Sequence, residues 1–236
     1  LVIGANSTGG DGGGIEYDLV RLEAGDTSLI VDMTVDRDTG QIMLLNNTAS
    51  DRPIVGYKIT STEGALDPGP WRSISEYSDA SGDQSVDGND EWVELTDPAS
   101  RTDLSEFEPD GDGGTLAQGA SIDLGDVWIK NPVEEDLAAE LLLVDGTVEL
   151  VSNSFANGPN DAPYEFGDLD FDGDFDESDF TGTFVPGFGA NTSSLSAAER
   201  YQAGDFNNDG AVDEYDFLIY NDAYLAANPG AAALSF

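Results

Sequence analysis

Asp168-Leu169-Asp170-Phe171-Asp172-Gly173-Asp174-Phe175-Asp176-Glu177-Ser178-Asp179 is followed by a second version of itself, Asp205-Phe206-Asn207-Asn208-Asp209-Gly210-Ala211-Val212-Asp213-Glu214-Tyr215-Asp216. Both read D-x-[DN]-x-D-G-x-[apolar]-D-x-x-D. Oxygen-bearing side chains at loop positions 1, 3, 5, 9 and 12 are hard ligands of the kind calcium takes. Position 7 contributes a backbone carbonyl, and glycine at position 6 makes the sharp turn between them. Without a cation, side chains so crowded with oxygen repel one another. The apolar residue at position 8, Phe175 or Val212, suits two loops that pair and bury a small shared core. An acidic, glycine-containing disordered run has the same composition. A match at every ligand position in both copies favours calcium.

The composition narrows what else the chain can do. Eight basic residues face 48 acidic ones in a chain of 236, a formal net charge of −40. Cationic contacts dominate affinity for nucleic acid, so nucleic acid is excluded as a partner, and so is an anionic membrane surface. The balance suits divalent cations, a salty medium and high solubility, and for most of the acids it is simply a solvated face. There is no Cys and no His. Disulfides, thiolate sites, a Ser-His-Asp triad, a histidine base and histidine-ligated zinc are all ruled out. A carboxylate pair for glycoside hydrolysis stays open, but nothing singles out two acids from so many, and a non-enzymatic protein is expected. No apolar run reaches the roughly 18–20 residues of a membrane span. The chain opens Leu1-Val2-Ile3 with no initiator Met and no signal peptide, which points to a processed N-terminus and, with calcium abundant outside cells, to a secreted or cell-surface location. Calcium then staples a fold that has no disulfides, by about 2.7 kcal/mol per independent site at a hundredfold excess over the dissociation constant.

Residues 1–14 join a short apolar start to the glycine-rich run Gly9 to Gly14. They read as a flexible terminus or as a strand free to exchange into a neighbour. From Ile15 to residue 156 the pattern is β-like and predicts an antiparallel sandwich of seven or eight short strands. Leu29, Val31, Met33 and Val35 alternate with polar or outward residues; Asp36 to Gly40 makes a turn; Ile42 to Leu45 returns. Ile54 to Thr60 reads as a third strand, Trp92, Val93 and Leu95 resume an extended pattern, and Ala117-Gln118-Gly119 makes a turn before Ile122, Leu124, Val127 and Ile129. Leu104 to Phe107 reads as a short helical turn, and Leu141 to Val151 as a hairpin closed by Asp145-Gly146 in a type I′ turn. Trp71 and Trp92 are candidates for a sugar-stacking pair, against the commoner role of packing the core. Asp83, Asp87, Asp90 and Asp110-Gly111-Asp112 are candidates for additional calcium, although their spacing fits no ligand template. Residues 157–163 look like a linker. In residues 164–236 a short helix follows Asp176 and stops near Pro186-Gly187, and a longer one runs from Asp213 to about Ala226. Between them a capping box at Ser196–Glu199 opens a helix that ends at Gly204.

Two resemblances follow from these residues. The first region resembles a β-rich module found beside dockerin-type repeats in secreted bacterial proteins. The likeness is carried by Val35-x4-Gly40, Asn46-x-Thr48, Tyr57-x-Ile59-x-Ser61, Gly64-x-Leu66-x-Pro68-x2-Trp71 and Leu116-x2-Gly119-Ala120-Ser121-x-Asp123-Leu124-Gly125, and it brings no catalytic residues. The tail resembles the type I dockerins, in which each calcium loop has an exit helix and aspartate, not glutamate, at position 12. The resemblance implies a mainly β protein with a small α domain, a dockerin-like pair of loop–helix (F-hand) motifs, and two calcium ions. It implies as ligands Asp168, Asp170, Asp172, Asp176, Asp179 and the Asp174 carbonyl in the first loop. In the second it implies Asp205, Asn207, Asp209, Asp213, Asp216 and the Ala211 carbonyl. Loop positions 10 and 11, which help cellulosomal dockerins recognise cohesin, are Glu177-Ser178 and Glu214-Tyr215 here and unlike each other, so cohesin binding does not carry over. Such proteins often continue into a sorting segment, and this chain, ending at Phe236, looks like a mature exported product. The expected role is a non-catalytic structural protein of the cell surface or matrix that assembles with itself, as a homo-oligomer or a fibre built by strand addition. The alternative is an adaptor or carbohydrate-binding module that docks onto a surface protein or a glycan.

Overall fold

The computed structural model of the protein describes residues 30–236, so the expectations for residues 1–14 and for the first strand's start lie outside the described residues. Alternating burial builds the first strands: β1 (Asp32–Asp36) turns Met33 and Val35 inward, and β2 (Ile42–Leu45) does the same with Ile42 and Leu44. The turn between them is held by Asp36, whose Oδ1 accepts from the Asp38 and Thr39 amides. Gly40 closes it at φ +82°, where a Cβ would stand 2.6 Å from the Trp128 carbonyl oxygen. Only glycine fits there.

β3 (Arg52–Thr60) is the long central strand of a second sheet, with Ile54, Val55 and Tyr57 buried in succession. After it come α1 (Ile74–Tyr77), β4 (Val93–Glu94), β5 (Asp103–Phe107), β6 (Gly114–Leu116), β7 (Ser121–Asp123), β8 (Ala138–Leu143), β9 (Val148–Leu150) and β10 (Ser152–Ala156). One sheet has the order β10-β1-β2-β7; the other runs β4-β5-β3-β8-β9, with β6 also pairing with β3. The side chains of both sheets meet in one core that includes Met33, Leu44, Ile54, Ile59, Leu104, Leu124 and Leu141.

The structure corrects four expectations. The sheets are not wholly antiparallel, because β10 lies parallel to β1, with Asp32 opposite Ser152 and Asp36 opposite Ala156. Leu104 to Phe107 is not a helical turn but part of β5. Its residues pair with Gly56–Ile59 and bury Leu104, a pairing partner far away in sequence that a four-residue pattern cannot reveal. The β8–β9 hairpin is not type I′, which needs positive φ at both central residues. Only Gly146 has it (φ +83°), and the Leu143 amide bonds the Thr147 carbonyl across a three-residue loop with a glycine bulge. Trp71 and Trp92 do not form a sugar platform: both indoles are buried, with Trp71 Nε1 donating to Tyr57 Oη and Trp92 Nε1 to Asp87 Oδ2.

The tail is helical and short-elemented. α2 (Glu177–Asp179), a π turn over Phe180–Phe184 and α3 (Val185–Gly187) follow one another directly. The widened turn sits just ahead of Pro186, which has no N–H to continue the regular ladder. α4 (Ala197–Ala203) has the expected box, with Ser196 Oγ accepting from the Glu199 amide and Gly204 ending it in the left-handed region. α5 (Glu214–Ala227) is the longest helix among the described residues. A second core gathers Leu169, Phe175, Phe180, Phe184, Tyr201, Val212, Tyr220 and Leu234. Among the described residues no helix is long and apolar enough to cross a membrane.

Candidate metal centre

The two acidic stretches fold as near copies of each other, and their carboxylates do the folding. In 168–179, Asp179 Oδ1 accepts from the amides of Leu169 (2.7 Å) and Asp170 (3.1 Å), and its Oδ2 from that of Asp176 (2.9 Å). In 205–216, Asp216 Oδ1 accepts from Phe206 (2.8 Å) and Asn207 (3.1 Å), and its Oδ2 from Asp213 (2.9 Å). Position 1 closes on the glycine in both: Asp168 Oδ2 accepts from Gly173 N, and Asp205 Oδ2 from Gly210 N, each at 3.0 Å. Asp170 and Asn207 then accept from the amide two residues on, as do Asp172 and Asp209. The glycines share φ near +97°, and position 4, Phe171 or Asn208, is also left-handed.

Loop and exit helix are one unit, because position 9 is also the helix N-cap. Asp176 Oδ1 accepts from the Ser178 amide and Asp213 Oδ1 from that of Tyr215, and each forms a reciprocal capping box with the aspartate at position 12. The capping-box spacing is also the spacing of the last two expected ligands.

The first loop brings Asp168, Asp170 and Asp172 together, with one carboxylate oxygen of each within 4.8 Å of the others. Asp168, Asp179, Asp205 and Asp216 are buried, whereas Asp170, Asp172, Asp176 and Asp209 face solvent. Asp168 Oδ1 is fully buried and has no hydrogen-bond partner. Burial, with the Asp179 charge adding to it, pushes the Asp168 carboxyl up to about 6. Burial raises Asp179 and Asp216 too, against the three amides that each one accepts. Asp174 and Ala211 occupy position 7 of their loops. In the first loop three of the expected ligand carboxylates, those of Asp168, Asp170 and Asp172, are thus drawn together, at the cost of like charges crowded in a poorly solvated place.

The position 8 residues of the two loops are buried in one core, as expected, but their backbones do not bond each other. Val212 bonds the 189–190 segment instead, its amide donating to the Ala190 carbonyl and its carbonyl accepting from Gly189 N. The Phe175 carbonyl accepts from Asn228 Nδ2. Phe175 and Val212 do share the second core.

Sequence reasoning missed two residues at the second loop. Thr192 is buried and donates from Oγ1 to Asp205 Oδ2 at 2.5 Å. Arg200 donates to the Thr192, Ser193 and Asn208 carbonyls. An i, i+3 pattern gives no hint of either, because the segment that brings them in folds back from outside the loop.

Of the acids considered for additional calcium, the structure gathers Asp90 and Asp110, with the buried Glu108 as a third member that the spacing did not suggest. Asp90 is raised by desolvation and by its neighbour Asp112. Both Glu108 oxygens already accept backbone amides, from Asp110, Gly111 and Gly113, so this cluster has no oxygen of the Asp168 kind.

No family model matches the chain, and neither a curated protein nor a solved structure matches it.

Proposed function

We propose that the protein is a secreted, non-catalytic calcium-binding structural protein of the cell surface or extracellular matrix, with a dockerin-like pair of loop–helix motifs as its tail. The observation that carries this reading is the Asp168 carboxylate. It is wholly buried, one oxygen is spent on Gly173 and the other is unpartnered, and two more aspartates stand within reach. A buried charge left without a partner is costly, and a hard cation would offset it. The donor set is oxygen only, which suits calcium or magnesium over the softer metals. Calcium tolerates the larger and less regular ligand set that a twelve-residue loop presents.

Asp168, Asp170, Asp172, Asp176, Asp179 and the Asp174 carbonyl would hold one ion. Asp205, Asn207, Asp209, Asp213, Asp216 and the Ala211 carbonyl would hold the other. The ion would supply positive charge; the chain's own residues supply the turn, through Gly173 and Gly210, and the exit helices, through Asp176 and Asp213. Calorimetric titration of the full chain with calcium tests the proposal. Two sites are expected, with Asp172→Ala and Asp209→Ala each deleting one, and a flat titration at millimolar calcium would sink it.

A second reading, docking onto a surface protein, has support from α5. Tyr215, Leu218 and Ile219 stand exposed at i, i+3 and i+4 on the helix that leaves the second loop. Self-assembly by strand exchange rests on residues 1–14 and stands as a proposal. Light scattering across a calcium titration tests it, and a particle that stays monomeric would refute it.

A further inference from the structure

The two loops share their internal bonds but differ in what holds them from outside. Arg200, in the last turn of α4, grips the second loop. Its Nε donates to Thr192 O at 3.1 Å, its Nη1 to Asn208 O at 2.9 Å and to Asn208 Oδ1 at 3.3 Å, and its Nη2 to Ser193 O at 3.0 Å. Thr192 bonds Asp205 Oδ2, and Asn191 forms an antiparallel bridge with Ala211, with Thr192 N donating to Gly210 O and Val212 N to Ala190 O. Position 3 is the neutral Asn207, so one carboxylate fewer sits at the ligand positions, and the Arg200 guanidinium bonds the position-4 residue Asn208.

The first loop has none of these supports at the matching places. Asp170 keeps the charge at position 3, Asp174 adds another, and Asp168 Oδ1 is buried with no partner. From outside the loop, Asn228 reaches the Phe175 carbonyl, and Lys130 lies over the Phe171 ring at 4.9 Å to its centroid. Neither touches a carboxylate oxygen of the loop.

We infer that the loops answer a divalent cation in order: 205–216 is a frame that Arg200 and the 190–193 segment keep folded without the ion, and 168–179 is the element that folds when the ion arrives. This rests on the calcium reading above. Carboxylate repulsion opposes closure of both loops. In the second it is opposed by the Thr192 bond to Asp205, by the bonds of Arg200 to the Asn208, Thr192 and Ser193 carbonyls and by an extra ladder of backbone bonds, whereas in the first, near neutral pH, that work is left to a bound cation. The first loop feeds α2 and the π turn, so the cation would order Phe180 and Phe184 against Tyr220 and thereby set the shape of the second core.

Hydrogen exchange on the full chain, in calcium and after metal stripping, reads each loop separately. On stripping, the amides of Leu169, Asp170 and Gly173 are expected to lose protection by at least about tenfold, while those of Phe206, Asn207 and Gly210 keep theirs. In Arg200→Ala the second loop should lose protection on stripping as well, and regain it in calcium. Parallel loss of both loops in the unaltered chain, or loss of the second before the first, overturns the ordering even if titration shows calcium bound. Unchanged exchange together with no binding heat overturns the calcium reading and this inference with it. An Arg200→Ala chain whose stripped second loop stays protected removes Arg200 as the holding residue and overturns the mechanism stated here.

Discussion

Asp179 and Asp216 are structural equivalents: each buried carboxylate ties the amides at positions 2, 3 and 9 of its own loop, at distances that agree between the two to within 0.1 Å. A net hydrogen bond to a charged group contributes about 1.5–3 kcal/mol, and a buried amide left bare costs a similar amount. Asp216→Ala should therefore destabilise the metal-stripped chain, and Asp179→Ala the calcium-loaded one, by about 3 kcal/mol or more in urea denaturation. Asn at the same position keeps one accepting oxygen and turns an N–H₂ toward the amide of Asp176 or Asp213, so it should cost less than Ala. Equal cost for both, or a negligible cost for either, would mean that the loops do not depend on these bonds.

The tail should melt together with the sandwich because α4 is built into both. Ala198 is buried in the sandwich core, its amide donates to the Glu63 carbonyl, and Gln202 Nε2 donates to the Lys130 carbonyl. Ala198→Glu forces volume and charge into that contact, at a cost of about 1–3 kcal/mol for overpacking alone. It should split one calorimetric transition into two. Arg101→Ala removes two partly exposed ion pairs, with Glu199 and with Asp67, and should shift the melting temperature little. Two transitions already present in the unaltered chain would show that the halves are independent.

Exposed apolar residues on α5 carry a different expectation. Tyr215 is 67% and Leu218 56% exposed, so Tyr215→Ser and Leu218→Ser should each change stability by no more than about 0.5 kcal/mol. If the docking reading holds, the double variant should lose partner binding while its calcium titration is unchanged. A large drop in melting temperature would instead place these side chains in the fold.

Much of the tail was readable because one spacing serves two purposes. Asp176 and Asp179, like Asp213 and Asp216, sit where a ligand pair and a capping box both require them, and Ser196–Glu199 with Gly204 brackets α4 by local chemistry alone. Met33, Val35, Ile42 and Leu44 announce β1 and β2 by simple alternation. What was not readable is long-range. The pairing of β1 with β10 joins residues 32 and 152, and no local pattern distinguishes a parallel partner from an antiparallel one. Leu104–Phe107 is too short for its period to discriminate helix from strand. Nothing in Ala198 marks it as a core residue of a domain that precedes it, and Arg200 reads as an ordinary helix-terminal cation until the 190–193 segment folds back beneath it.

The last prediction concerns pH and turns on Asp168. Its carboxyl is raised to about 6 by burial and by Asp179, whereas an unfolded aspartate titrates near about 3.9. Between those values the folded chain holds a proton that the unfolded chain has released, so in the absence of a cation this group's contribution to stability is fully present below about 4 and is lost as pH rises through about 6. Calcium requires the carboxylate, so its affinity should rise over the same interval. The metal-stripped tail should therefore melt at a lower temperature at pH 7 than at pH 4.5, and the calcium-loaded tail at a higher one. General repulsion in a chain of charge −40 gives the stripped protein a slope of the same sign. Asp168→Asn separates the two effects: it should flatten the stripped slope and weaken the pH dependence of calcium binding at the first loop, where Asp179 is also raised, while leaving that at the second intact. A stripped Asp168→Asn chain that keeps the full slope would assign the effect to the surface charge and not to this buried carboxylate.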